Sequence, residues 1–221
     1  MGYNVAIDGP AGAGKSTIAK KIAKELGYVY VDTGAMYRAM ALYFLEQGID
    51  STNEEAISAA SDTVDISIRY QDGEQQVILN DENVNDKIRR EEVGNMASAT
   101  SIYPKVRTKL VALQQKLAAS TDVIMDGRDI GTCVLPNAEV KIYLTASSAT
   151  RAKRRYDELM AKGEACDLAA IQQDIEDRDY RDMHRETSPL KQAEDAVLVD
   201  SSEMNIDEVV AAIQKICQEK I

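Results

Sequence analysis

The stretch Gly9-Pro10-Ala11-Gly12-Ala13-Gly14-Lys15-Ser16-Thr17 follows the pattern G-x-x-x-x-G-K-[ST]. It lies between a short apolar run, Tyr3-Asn4-Val5-Ala6-Ile7, and a helical pattern that begins at Lys15. The residue types suit one chemistry. Glycines let the main chain wrap closely around an anion, and successive N–H groups then point inward as a nest. The helix that starts at Lys15 adds the positive end of its dipole. Lys15 is placed to reach the β- and γ-phosphates of a nucleoside triphosphate, and the Ser16 hydroxyl to hold magnesium directly or through water. Gly9 through Thr17 is therefore read as an ATP-binding phosphate loop (P-loop).

Such loops serve switches, motors and kinases. A guanine-reading switch needs an Asn-Lys-x-Asp loop, which this sequence lacks. A kinase that sets an acceptor phosphate against ATP needs clustered cations to make two polyanions tolerable side by side. Arginine suits that task, because its planar fork grips phosphate oxygens in pairs and keeps its charge. The candidates are Arg38, Arg107, Arg128, Arg151, Arg154, Arg155, Arg178, Arg181 and Arg185. Arg154, Arg155 and Arg181 read equally well as a solvated helix face interleaved with acids. Arg128, in Asp126-Gly127-Arg128-Asp129, directly follows a strand end, which is where ligands gather in open α/β sheets. The single histidine, His184, sits in a charged segment and is not needed as a base, since a phosphate monoester is already anionic.

The elements that must position these residues alternate. Apolar runs at Tyr3–Ile7, Tyr28–Val31, Val123–Met125, Val140–Leu144 and Ala196–Val199 are separated by helix patterns, the mark of a parallel sheet covered on both faces. The first helix carries Ile18, Ile22 and Leu26 and stops at Gly27. The second opens at Asp32-Thr33-Gly34 and closes at Gly48. A third begins at Pro104 with Val106, Leu110, Leu113 and Leu117 on its stripe, and the last shows Ile206, Val209, Val210, Ile213 and Ile216. Val64–Tyr70 and Gln75–Leu79 alternate with period two around Asp72-Gly73, an antiparallel hairpin inserted into the βαβ pattern. Residues 151–185 are polar, rich in arginine and weakly helical.

Linked motifs make the chain resemble the bacterial cytidylate kinases from Val5 to about Cys217. They are Ile7–Thr17, Asp32-Thr33-Gly34-Ala35-Met36-Tyr37-Arg38 and Asp126-Gly127-Arg128-Asp129-Ile130-Gly131-Thr132. To these are added Ala97-Ser98 with Pro104-Lys105-Val106-Arg107, and Arg178-Asp179-Tyr180-Arg181-Asp182 with Arg185 and Pro189-Leu190. Thr33 stands where the family often has serine, and Ser16 where glycine is also common.

The resemblance implies an α/β P-loop fold with a five-stranded parallel sheet in the order 2-3-1-4-5. It implies a single 221-residue domain: a core of residues 1–33, 121–147 and 188–221, a monophosphate-binding region at about 34–120 with a hairpin insert at about 63–85, and a lid at about 148–187. The implied reaction is magnesium-dependent transfer from ATP to CMP and dCMP; the alternatives are a P-loop kinase for another small acceptor, UMP or AMP, and a non-transferring nucleotide-binding module. Arg38, Arg128 and Arg185 would hold the acceptor phosphate, with Thr33 beside them. Ser98, Arg107 and Asp129 would read the cytosine edge, while Arg178 and Asp182 contact the ribose. Lys15, Arg128, Arg185 and the lid residues Arg154 and Arg155 would carry the transfer. An arginine and an aspartate match the acceptors and the exocyclic amine of cytosine, which uracil would meet wrongly. Ser98 also reads as a small helix residue, and Asp129 as a turn or cap residue.

Composition sets the outer bounds. The 44% hydrophobic and 29% charged content is that of an ordinary soluble protein, and the net charge of −11 argues against nucleic acid or anionic lipid as partners. The chain enters its first strand at once, so no signal peptide is expected, and a cytoplasmic monomer is the expectation. Cys133, Cys166 and Cys217 are far apart in no ligand spacing, which points to neither a disulfide framework nor zinc.

Overall fold

The computed structural model describes residues 2–220. In chain order the elements are β1 (Asn4–Asp8), α1 (Lys15–Leu26), β2 (Val29–Asp32), α2 (Thr33–Glu46), α3 (Glu54–Thr63), β3 (Ile66–Gln71), β4 (Glu74–Leu79), β5 (Glu82–Asn83), α4 (Glu91–Thr100) and α5 (Pro104–Ser120). Then come β6 (Val123–Gly127), a π-helical turn (Ile130–Val134), β7 (Val140–Thr145), α6 (Ser148–Ala161), α7 (Leu168–His184), β8 (Val197–Asp200) and α8 (Ile206–Lys220). The strands of the main sheet run β2-β6-β1-β7-β8, which is the expected order 2-3-1-4-5 when only its own strands are numbered. β7 pairs in parallel with β1 (Ile7 opposite Ile142) and with β8 (Leu144 opposite Val199). Val5, Ala6, Ile7, Val123, Ile124, Met125, Val140 and Leu144 are all fully buried, as strands covered on both faces require.

By internal contacts the chain forms two compact units, one made of Val29–Val123 with Gly2, the other of Tyr3–Tyr28 with residues 124–220. In the first unit α2 packs on α3, α4 and α5 and on the hairpin β3–β4. Ile66 pairs with Leu79 and Gln71 with Glu74, so the chain turns at Asp72-Gly73 as expected; both residues have positive φ, 53° and 79°. A short third strand, β5, extends that antiparallel sheet. In the second unit α1 and α8 pack together and on the sheet, and α6 lies along α7.

The structure corrects the reading of α5. Its buried positions are Val106, Arg107, Leu110, Gln114 and Ala118, whereas Leu113 and Leu117 are only half-buried. The buried stripe has shifted by one residue along its second half, to Gln114 and Ala118. α3, α4 and β5 are further elements that apolar spacing does not mark: α3 buries only Ile57 and Ser61 within its span, and β5 is exposed.

Candidate active site

The second unit holds the P-loop. β1 is one of the buried strands, and it delivers the chain at its carboxyl end into Gly9. A side chain at Gly9 would meet the Leu144 carbonyl of β7 at 1.9 Å, so only glycine permits the turn there. Gly14 caps α1 in a left-handed conformation (φ 85°) and has no side chain to offer the helix, which leaves the first N–H groups of α1 for an anion. Lys15 is buried and its Nζ donates to the Pro10 carbonyl at 2.7 Å. Burial holds its pKa well below the usual lysine range, and the positive charge of Arg128 pushes it further in the same direction, against the pull of Asp126 and Asp8.

Each of β1, β2 and β6 delivers an aspartate near its carboxyl end: Asp8, Asp32 and Asp126. All are buried and each does a different job. Asp126 Oδ2 accepts from the Ser16 hydroxyl at 2.9 Å. Asp8 accepts from the main-chain N–H of Ile130 (2.8 Å) and of Gly131 (2.7 Å), fixing the π-helical turn that follows Arg128 and Asp129. Burial outweighs those two donors and raises its pKa to about 6. Asp32 caps α2 by accepting from Ala35 N at 2.9 Å.

The expected acceptor residues of this unit do gather. Arg128 Nε donates to Asp182 Oδ2 at 2.9 Å. Arg185 lies 3.9 Å from both Asp182 Oδ1 and Asp129 Oδ1, and its Nε donates to the Ser188 carbonyl at 2.8 Å. Burial alone would raise the pKa of Asp182, but Arg128, Arg185 and Arg178 outweigh it and hold the carboxyl below its usual range. Arg178 is felt at both Asp182 and Lys15.

The arginines expected in a lid are engaged elsewhere. Arg154 donates to the Ser201 carbonyl at 2.7 Å and to its hydroxyl at 3.3 Å, and Arg155 pairs with Glu158 at 3.0 Å on an exposed face. Arg181 is exposed. His184 is exposed too, stacked on Tyr180 with ring centroids 4.0 Å apart.

In the first unit Thr33 is buried at the start of α2. Arg38, a turn later, reaches the Ile88 carbonyl at 3.4 Å, and α4 passes so close that a side chain on Gly94 would lie 2.9 Å from Arg38 Nη1. Arg107 is buried on α5, donates to the Ser101 carbonyl at 3.3 Å, and stands 5.8 Å from the centre of the Tyr37 ring. Ser98 is half-buried on α4, and its carbonyl accepts from the Ser101 hydroxyl.

A sequence profile of the cytidylate kinases matches residues 5–219. The chain belongs to the cytidylate kinase family. The cytidylate kinase of Lactobacillus johnsonii is 53% identical over 216 residues, covering 98% of this chain and 94% of that one. That of Lactiplantibacillus plantarum is 52% identical, covering 98% and 95%. Among solved structures, a gluconokinase from Sinorhizobium meliloti shares the fold with a TM-score of 0.51 at 13% identity, over 99% of this chain and 93% of that one. The protein is accordingly a nucleoside monophosphate kinase.

Asp126 and Asp8 take part in these arrangements although the sequence alone gave neither a role. A signal was present for both, since an acid that ends an apolar run is carried to the ligand edge of the sheet.

Proposed function

We infer that the protein transfers the γ-phosphoryl group of ATP to CMP and dCMP, releasing ADP with CDP or dCDP. The observation that carries this reading is the P-loop with its buried Lys15, whose Nζ donates to the Pro10 carbonyl at 2.7 Å, in the same unit as Arg128, which Asp182 holds at 2.9 Å beyond the end of β6. Two such charges from separate motifs suit a place where two phosphates meet.

The acceptor oxygen of a nucleoside monophosphate is already anionic, so the chain has to position and neutralise rather than remove a proton. Lys15, Arg128 and Arg185 are assigned to the charge of the transferring group, with Arg154 and Arg155 joining once they leave Ser201 and Glu158. Ser16 Oγ and the Asp126 carboxylate offer hard oxygen donors that fit Mg²⁺, directly or through water. When bound, that ion supplies neutralising charge to the ATP phosphates. Arg38 and Thr33 are assigned to the acceptor phosphate, Arg178 and Asp182 to the ribose. Ser98, Arg107 and Asp129 are assigned to the cytosine edge, where a carboxylate accepts from the exocyclic amine that uracil lacks. We assign residues 148–187 as a lid and the cytoplasm as the place of action, with the monomer as the working form; among the described residues no helix is long and apolar enough to cross a membrane.

UMP, AMP and the non-transferring module are not favoured by the family membership. ADP release measured with CMP, dCMP, UMP, AMP and no acceptor tests the reading: rapid release is expected with CMP and dCMP, and equal release without acceptor would overturn it.

A further inference from the structure

The main chain of Ala11, inside the P-loop, is held at both of its polar ends by a buried ion pair. Arg151, on α6, donates from Nη1 to the Ala11 carbonyl at 2.7 Å, and Asp179, on α7, accepts from the Ala11 N–H at 3.2 Å. The two side chains meet at 2.6 Å, Arg151 Nη2 to Asp179 Oδ2. Arg151 Nε donates to the Ala146 carbonyl just beyond β7 at 2.9 Å, so the guanidinium is anchored to the sheet as well. Both residues are buried, at 5% and 8% exposure, in a site where an unpaired charge is costly. Gly12 completes the fit: a side chain there would lie 3.5 Å from Arg151 Cβ and 4.0 Å from Ile175 Cδ1, so the loop rests on α6 and α7 together.

We propose that Arg151 and Asp179 are positioning residues that clamp the Ala11 peptide and so aim the N–H groups of Gly12, Ala13 and Gly14 at the triphosphate. A phosphate nest works only if its donors are oriented before the anion arrives, since reorienting them on binding would cost affinity. The clamp supplies that order from outside the loop. It also ties the ATP loop to α7, which one turn later presents Asp182 to Arg128. The two nucleotide sites thus hang from one helix by separate aspartates. The inference rests on the proposed function for the identity of both nucleotides, ATP at the loop and CMP at the site of Asp182.

The experiment is calorimetric titration of Asp179→Asn, Arg151→Lys and the neutral pair Arg151→Met/Asp179→Leu with a non-hydrolysable ATP analogue and no acceptor, followed by steady-state kinetics. A lysine keeps the charge but not the fork, so Arg151→Lys is not expected to rescue. Each variant should weaken analogue binding and raise the KM for ATP by about tenfold, leave the KM for CMP within about twofold, and keep a cooperative thermal transition. The double variant should lose no more than the single ones, because one clamp is removed either way. Unchanged analogue affinity in a folded variant, or equal losses for both nucleotides, would overturn the proposal. A wild-type protein that binds the analogue but leaves CMP untouched would instead count against the proposed function alone.

Discussion

Gln75 brackets the peptide of Asp32. Its Oε1 accepts from the Asp32 N–H at 2.8 Å and its Nε2 donates to the Asp32 carbonyl at 3.2 Å. β2 is an edge strand of the main sheet, and such a strand presents unpaired main-chain groups on its outer side. Tyr70, from the same hairpin, supplies its hydroxyl to the Tyr30 carbonyl at 3.1 Å, so side chains of the insert stand in for a missing strand. Asp32 is also the cap of α2 and pairs with Arg89 at 3.2 Å. The inserted hairpin therefore fixes the corner from which Thr33 and Arg38 depart.

Gln75→Ala should disturb that corner without touching the ATP loop. The KM for CMP is expected to rise several-fold, with the KM for ATP nearly constant. Two main-chain groups lose partners, and the thermal midpoint should fall by the equivalent of about 1–2 kcal/mol. Kinetics with each substrate varied in turn, beside a melting curve, checks both effects.

Lys15→Met should remove nearly all transfer while leaving the fold. A preorganised charge at developing negative charge contributes on the order of 3 kcal/mol or more, a loss of at least about a hundredfold in kcat. Near-normal turnover with CMP in this variant would show that the loop is not the catalytic one.

Asp129→Ala bears on base choice. A site that hydrogen-bonds one group can reject an analogue lacking it by roughly 10⁴. The kcat/KM for CMP should fall strongly, with that for UMP level or slightly better. Equal losses for both would move Asp129 from base reading to holding Arg185.

Asp8 gives a pH dependence whose sign follows from its raised pKa of about 6. An acid with a folded pKa above its unfolded value near 4 contributes stability that is full below about pH 4 and lost as pH rises through about 6. At one pKa unit per about 1.4 kcal/mol, the difference in unfolding free energy between wild type and Asp8→Asn should shift by up to about 3 kcal/mol over that window, in the variant's favour as pH rises. Denaturant unfolding of both proteins at pH 4 and pH 7 measures it. A difference that stays constant with pH would mean that Asp8 is not the buried acid described here.

The sequence by itself determined what is local. Gly9 through Thr17 is one strand–turn–helix, so its spacing states its own geometry, and Asp72-Gly73 names its turn by the backbone angles those residues tolerate. Apolar runs marked the strands of the parallel sheet most clearly in β1, β6 and β7, which are buried along nearly their whole length. Tertiary structure alone decided which distant residues meet. Asp8 finds Gly131 across 123 positions and Arg151 finds Ala11 across 140, pairings that exist only because β1 lies beside β6 and β7. It also turned α5 to bury Gln114 and Ala118 while Leu113 and Leu117 stay half-buried, since the side of a helix that is covered depends on the elements packed against it and not on its own stripe alone.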